Sequence, residues 1–480
     1  MVLQKLLESI RNSGDRKALC YLNNNNYLYS DILHKYETYD RLLSELPKQH
    51  DKARYLVYVK DPFEYICIFM AVIKHGIVIP FEAAKKEYNE MIIGECKANY
   101  IFMQEDISLG SYRAEKIWSD GKVNLLGIDD YREDKLQIDE NIIICYFTSG
   151  TTGKPKCVMF SDQALYNNIN SLAELIKIEK KDVCYTPISP MMTGALNTIY
   201  LPALLKGASV AVNITFLAGS VMKTINSQGV TILFMVPLLY TKMLESNSVH
   251  LINWKSIRMC LTSSSYMSET IFKQFHDVAN ICISSIYCSS ECGVIAVNYS
   301  DQIEIAMKYV GHPLKGTEVE VIKDGKILDA GEYGELVVAG INNSQGYLNY
   351  DNSALGILLH GKTYYKTGDY GAITENGVII SGRIADTMNI AGHLVDPIEI
   401  EKVLVNYEKV EDASVFSCID DKHNEYIVAK VQCVNKEICM DDIELKQYCR
   451  QKLSDYKIPS NIIFVDKIER TANGKKIRRV

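Results

Sequence analysis

A chain of 480 residues, 47% of them hydrophobic, is long enough for about two to four domains with sizeable cores, so neither disulfides nor a structural metal is needed to hold it together. Its 52 basic and 59 acidic residues leave a net charge of -7, which excludes the broad basic face of a nucleic-acid binder and obliges any anionic partner to be met locally. The 14 cysteines are scattered through apolar runs with no CxxC pair, as in a cytoplasmic protein with reduced core thiols.

Met1 to Ser9 is polar and amphipathic and lacks the apolar core of a signal peptide. A helix, a strand pair between Ala18 and Tyr29, and a second helix from Ser30 are predicted next. The most apolar stretch, Tyr65 to Phe81, is interrupted by Lys74, His75 and Gly76, so it reads as helix, turn and strand rather than a membrane span. Around it, strands at Tyr55 to Val59, Ile77 to Pro80 and Tyr100 to Met103 alternate with helices at Pro62 to Lys74 and Lys86 to Cys96. That alternation argues for a mostly parallel sheet covered by helices.

The buried strand candidate Ile142 to Phe147 and the apolar run Cys157 to Phe160 bracket a loop of hydroxyls, glycines and two lysines. Gly150 and Gly153 let backbone N–H groups turn inward, Thr148, Ser149, Thr151 and Thr152 add O–H donors, and Lys154 and Lys156 add positive charge. A polyphosphate suits such a loop, as does bulk solvent. It is not the G-x-x-x-x-G-K-[ST] nucleotide loop, because the glycines stand three apart and Pro155 follows Lys154.

Beyond it come an amphipathic helix at Asp162 to Ile176, a strand near Val183 to Tyr185, a helix stopped by Gly207, and strands at Thr231 to Val236, Ile257 to Thr262 and Ile281 to Ile286. Gly311 to Gly382 is strand-rich with many Gly and Asn turns, as a small barrel or sheet would be. A helix at Pro397 to Val405, strands at Ala413 to Cys418 and Tyr426 to Val434, and a helix at Asp441 to Leu453 read as a separate α+β unit, with the boundary near Asp386.

Four further stretches carry chemistry: Tyr287-Cys288-Ser289-Ser290-Glu291 at a strand end, Tyr365-Lys366-Thr367-Gly368-Asp369 with its aspartate in a turn, Gly382-Arg383-Ile384-Ala385-Asp386, and Thr471-Ala472-Asn473-Gly474-Lys475. With the loop, in this order, and with Gly311-His312-Pro313 and Gly331 to Leu336, the chain resembles the adenylate-forming superfamily. That superfamily comprises acyl-CoA synthetases, firefly luciferases and the adenylation domains of peptide synthetases.

The resemblance implies an α/β fold: a large N-terminal domain, residues 1–385, of packed, helix-flanked sheets plus a small β-barrel, then a small mobile α+β C-terminal domain, residues 386–480. It implies that a small carboxylic acid and ATP give acyl-AMP and pyrophosphate, after which the acyl group passes to CoA or to a carrier protein's phosphopantetheine. By the same resemblance Thr148 to Lys154 hold the β- and γ-phosphates, Lys156 and Ser290, where the family usually has Thr, act at the reacting phosphate, and Glu291 holds Mg²⁺. Ser263, Ser264, Ser265 and Tyr287 lie near adenine, Asp369 accepts the ribose hydroxyls with Arg383 beside it, Lys475 bridges the acid and the α-phosphate, and Asp386 is the hinge. No nucleic acid and no membrane span are expected.

Three places depart from the family. Cys157 and Cys288 stand where glycine is usual, and Ser263-Ser264-Ser265 occupies the usual Gly-Gly turn, so each added side chain is expected to narrow the nucleotide's approach. Gly194 takes the position where amino-acid-activating domains carry an aspartate for the α-amine, which disfavours an ordinary α-amino acid. The other aligned pocket residues, Ala195, Thr198, Cys260, Thr262, Ile286, Val294 and Ile295, are small or apolar and suit a fatty, aryl or other uncharged-tail acid. An acyl-CoA-forming ligase, a stand-alone enzyme loading a carrier protein, and a non-catalytic nucleotide-binding relative are the three readings.

Overall fold

Twelve consecutive residues, Pro62 to Ile73, are buried along the helix Pro62–His75. Asp61 caps it by accepting from the Glu64 N–H at 3.3 Å, and Pro62 sits at the first turn, where its missing N–H costs nothing. A helix apolar all round must be covered all round, and this one shares a single core cluster with Tyr55, Val57, Val78 and Ile144 of one sheet and Leu19, Val210 and Phe234 of another. Its one buried charge, Glu64, accepts from the Tyr39 hydroxyl at 2.7 Å and faces Lys35 at 3.4 Å. Phe69→Ala is expected to cost about 3–5 kcal/mol by leaving a cavity there; urea unfolding followed at the two tryptophans, Trp118 and Trp254, checks it.

The computed structural model describes the chain apart from residues 24, 48–51, 129–137, 149–154, 247, 264–266, 353–354, 391–392, 420–424, 435–440, 471–475 and 477–480, and apart from the side chains at 389, 393 and 394. The fold is α/β. The seven-stranded sheet runs Ala114–Ser119, Asn124–Ile128, Tyr100–Met103, Ala53–Tyr58, Gly76–Pro80, Ile142–Phe147, Cys157–Ser161, parallel through its middle. In the nine-stranded sheet, Lys17–Tyr21, Ser209–Val212, Val183–Tyr185, Ile232–Met235, Met259–Thr262 and Ile283–Ser289 are parallel neighbours in that order. Ligands of such sheets collect at the carboxyl ends of the strands; Phe147, Thr262 and Ser289 end theirs there.

The strand-rich region is a six-stranded antiparallel sheet. Its long strand Lys362–Thr374 pairs with Gly356–Leu359, Gly334–Gly340 and Gly377–Arg383 along its length. The small C-terminal domain has its own core, with Ile400, Leu404, Val415, Val431 and Leu445, beneath the strands Val410–Ile419, Glu425–Cys433 and Asn461–Val465.

Several elements differ from expectation. The strand expected to stop at Ile286 runs to Ser289 and hairpins onto Gly293–Val297, so Ser290 and Glu291 occupy the hairpin turn. Asp369 lies within a strand, not a turn: Gly368 at φ 69° kinks the chain while pairing continues on both sides, with a register shift after Tyr370. The edge hairpin Ala114–Ser119 with Asn124–Ile128 was not anticipated, and neither was the π-helical turn Leu196–Tyr200 that follows Thr193–Ala195.

Candidate active site

The loop between Ile142–Phe147 and Cys157–Ser161 is closed at its base by two hydrogen bonds. Thr148 N–H donates to the Lys156 carbonyl at 2.9 Å, and Lys156 N–H donates to Thr148 Oγ1 at 3.1 Å. Ser149, Gly150, Thr151, Thr152, Gly153 and Lys154 lie outside the described residues. The Lys156 ammonium rests over two aromatic rings, 4.8 Å from the Tyr347 centroid and 5.1 Å from that of Tyr350.

Tyr347 was missed by sequence reasoning. Its segment runs as an extra strand beside the loop's return strand: Met159 N–H donates to the Gly346 carbonyl, Leu348 N–H donates to the Cys157 carbonyl, and Val158 and Tyr347 form a bridge. Its hydroxyl donates to Glu291 Oε1 at 2.7 Å and lies 3.4 Å from the Tyr365 hydroxyl. Glu291 is held from behind as well, since Ser344 N–H donates to its carbonyl at 2.7 Å.

The second group is Tyr287, Asp369 and Arg383. The buried Tyr287 hydroxyl donates to Asp369 Oδ2 at 2.7 Å, and Arg383 Nε donates to Oδ1 at 3.0 Å. Antiparallel pairing sets Asp369 opposite Arg383, and the Thr367 hydroxyl accepts from the Asp369 N–H at 3.0 Å, which fixes the carboxylate's direction. Burial pushes the Asp369 carboxyl above the usual range; Arg383 and Tyr287 oppose this, and the nearby charge of Glu291 adds to it. That repulsion links the two groups: the expected ribose carboxylate and the expected metal carboxylate share one neighbourhood.

Thr262 and Ser263 are buried at the end of Met259–Thr262, and the Thr262 hydroxyl has no partner among the described residues. Ser264 and Ser265 lie outside those residues. Gly194 and Ala195 are in the short helix Thr193–Ala195 and Thr198 is in the π-helical turn. A side chain at Gly194 would meet the Phe234 ring at an ordinary 3.9 Å, so the place is apolar rather than crowded. Ile286 and Val294 are buried on the hairpin, where Asn168 clamps Val294 through both backbone groups at 3.1 and 3.0 Å. A separate cleft of about 510 Å³ at Tyr21, Asp61 and Gln104 shares no lining residue with these groups.

One expected narrowing does not occur. Cys157 is fully buried against Cys96, Cys145 and Leu348, and burial pushes its thiol well up, so it fills core volume instead of the loop's mouth. Lys475 lies outside the described residues, while Asp386 ends the turn Ile384–Asp386.

These motifs and their placement define a nucleotide-handling α/β enzyme. Residues 6–348 match the family described as "AMP-binding enzyme", and residues 399–475 match the "AMP-binding enzyme C-terminal domain". The chain belongs to the AMP-binding enzyme family.

It is 28% identical over 338 residues to the indoleacetate–CoA ligase of Aromatoleum aromaticum, covering 70% of this chain and 65% of that one. It is 26% identical over 496 residues to surfactin synthase subunit 1 of Bacillus subtilis, covering 100% of this chain and 13% of that one. The matches thus span less than two thirds of the length of either relative. ATP-bound MatB from Rhodopseudomonas palustris has the same fold, with a TM-score of 0.85 at 19% identity over 99% of this chain and 97% of that one. Among the described residues no helix is long and apolar enough to cross a membrane.

Proposed function

We propose that the chain joins a carboxylic acid to the α-phosphate of ATP, releasing pyrophosphate, and then passes the acyl group from AMP to a thiol. The observation that carries this reading is the nearness of the Tyr287–Asp369–Arg383 group to the Lys156–Tyr347–Glu291 group, whose Tyr347 hydroxyl meets that of Tyr365 on the strand of Asp369, with the Lys156 N–H bonded to Thr148. Two unit charges 4 Å apart repel by about 4 kcal/mol at an effective dielectric of about 20, so a carboxylate needs fixed cations and donors to approach a polyphosphate. Lys156, the loop hydroxyls and Ser290 supply them on the nucleotide side. Lys475 supplies the charge that bridges acid and α-phosphate.

No group of three metal-ligating side chains gathers among the described residues. A single carboxylate such as Glu291 would suit a Mg²⁺ that keeps phosphate and water oxygens for the rest of its shell. Bound there, the ion would neutralise phosphate charge. Asp369, which as a carboxylate accepts and does not donate, takes the ribose hydroxyls.

The binding pH dependence has a definite sign. Because burial raises Asp369, its charged carboxylate, with two strong acceptor oxygens, is lost on acidification at a higher pH than the ~3.9 of an ordinary aspartate. ATP affinity, measured by calorimetry, is expected to fall along an acid limb that Arg383→Gln moves to still higher pH. Asp369→Asn removes that limb and binds weakly throughout.

The acid is a fatty, aryl or other uncharged-tail one, supported by the apolar setting of Gly194, Ile286 and Val294. The thiol is CoA, in keeping with the likeness to an indoleacetate–CoA ligase. A carrier protein's phosphopantetheine is the second reading, favoured by the match of this whole chain to a section of a surfactin synthase subunit. Residues 1–385 form the nucleotide-holding domain, and residues 386–480 are a lid that turns about Asp386. The thirteen described cysteines are all free thiols, which suits the cytoplasm. Acid-dependent ATP/pyrophosphate exchange over fatty, aryl and amino acids tests the first step, and its absence across the panel overturns the reading. AMP release with CoA against a holo carrier protein decides the acceptor.

A further inference from the structure

We propose that Tyr347 is a positioning residue that holds Lys156 and Glu291 near each other while keeping them from pairing. The inference rests on the nucleotide reading above. A phenol offers two different neutral partners: an electron-rich face for a cation and a hydroxyl for an anion. Tyr347 uses both, with the Lys156 ammonium 4.8 Å from its ring centroid and its hydroxyl 2.7 Å from Glu291 Oε1.

A lysine over the ring of one tyrosine and a carboxylate at its hydroxyl attract. Joined directly, each would cancel the charge that the phosphates or a cation require of it. Among the described residues no carboxylate forms an ion pair with Lys156; its recorded partners there are the Tyr347 and Tyr350 rings. A phenol ordinarily titrates at pH ~10, so Tyr347 is a neutral donor at working pH.

The spacer is itself fixed. Tyr347 N–H donates to Asn352 Oδ1 at 2.8 Å, and Asn352 Nδ2 donates back to the Tyr347 carbonyl at 3.1 Å. Gly346, at φ 94°, lets Asn352 come so close that a Cβ there would lie 2.5 Å from its side chain. With the bridge to Val158, these contacts hold the ring against the return strand of the loop.

The test is ATP binding by titration calorimetry with no acid present, in EDTA and across a MgCl₂ series. In EDTA, Tyr347→Leu is expected to weaken ATP about tenfold, because Lys156 falls onto Glu291. Adding Glu291→Gln to Tyr347→Leu should restore most of that loss, since no carboxylate remains to capture the lysine; a purely structural tyrosine gives no such rescue. Tyr347→Phe keeps the ring, so its loss in EDTA is smaller, but the Mg²⁺ concentration for half-maximal effect rises severalfold.

Lack of rescue in the double variant, or wild-type behaviour of both single variants, overturns the role of Tyr347 alone. If Tyr347→Leu does not fold, an unchanged Mg²⁺ midpoint in Tyr347→Phe overturns it. A wild-type chain that binds no ATP removes the nucleotide reading and this inference together.

Discussion

Lys475→Ala is expected to abolish acyl-AMP formation while ATP binding stays near wild type. The residue's proposed work is confined to the moment when the acid's negative charge meets the α-phosphate, so its loss falls on the transition state and not on the bound nucleotide. Removing one such preorganised charge-stabilising group commonly costs about 10²–10³ in rate. The flanking residues support delivery from the small domain. Arg470 and Lys476 form a bridge across the segment, Arg470 holds Asp412 at 2.6 Å, and Lys476 Nζ lies 3.2 Å from Glu401 and 2.8 Å from Asp412. Lys476 is committed to those carboxylates and cannot stand in for its neighbour. Pyrophosphate release measured with acid present, alongside calorimetric ATP binding, checks the split. Wild-type-like release from the variant overturns the assignment.

How much of this could be read before the structure depended on whether the determinant was local. Pro397–Val405 and Val183–Tyr185 have the bounds expected, because a capping Asp-Pro and a short apolar run speak for themselves. Glu291 and Asp369 stand out in the sequence through the residues around them, but their backbone settings do not: a kink at Gly368 looks like a turn until the partner strands are known. The edge strand Ala114–Ser119 is mostly exposed and carries no apolar alternation to betray it.

Tyr347 is the instructive omission. In the sequence it is one of 31 tyrosines. Its meaning arises only when its segment pairs with Val158 and Cys157, far earlier in the chain, and places a ring beneath Lys156. The available signal was the pair Tyr347 and Tyr350, three residues apart, following the tight glycine at 346.

Asp386→Pro should spare acyl-AMP formation and block transfer to the thiol. The strand Gly377–Arg383 belongs to the six-stranded sheet, and the turn Ile384–Asp386 is the covalent path from it to the small domain. On either side of that path the chain is held: Arg383 on Asp369, and Asp396 at the cap of Pro397–Val405, accepting from the Ile398 N–H at 2.9 Å. Asp396 is seated so closely on Gly382 that a Cβ there would lie 2.4 Å from its carboxylate. Any swing of the small domain must therefore break this contact and take up its rotation in the few torsions between Arg383 and Thr387.

Proline fixes φ near −65° and restricts the residue before it, so it fixes one of those torsions and narrows others, and like any substitution there it also takes away the carboxylate near Arg383. Asp386→Ala is the control: it discards the carboxylate that lies near Arg383 but keeps the torsions free, and transfer should persist. Single-turnover acyl-AMP formation and thioester formation, measured separately, distinguish the outcomes. Equal loss of both steps in Asp386→Pro, or loss of transfer in Asp386→Ala as well, would place the hinge elsewhere.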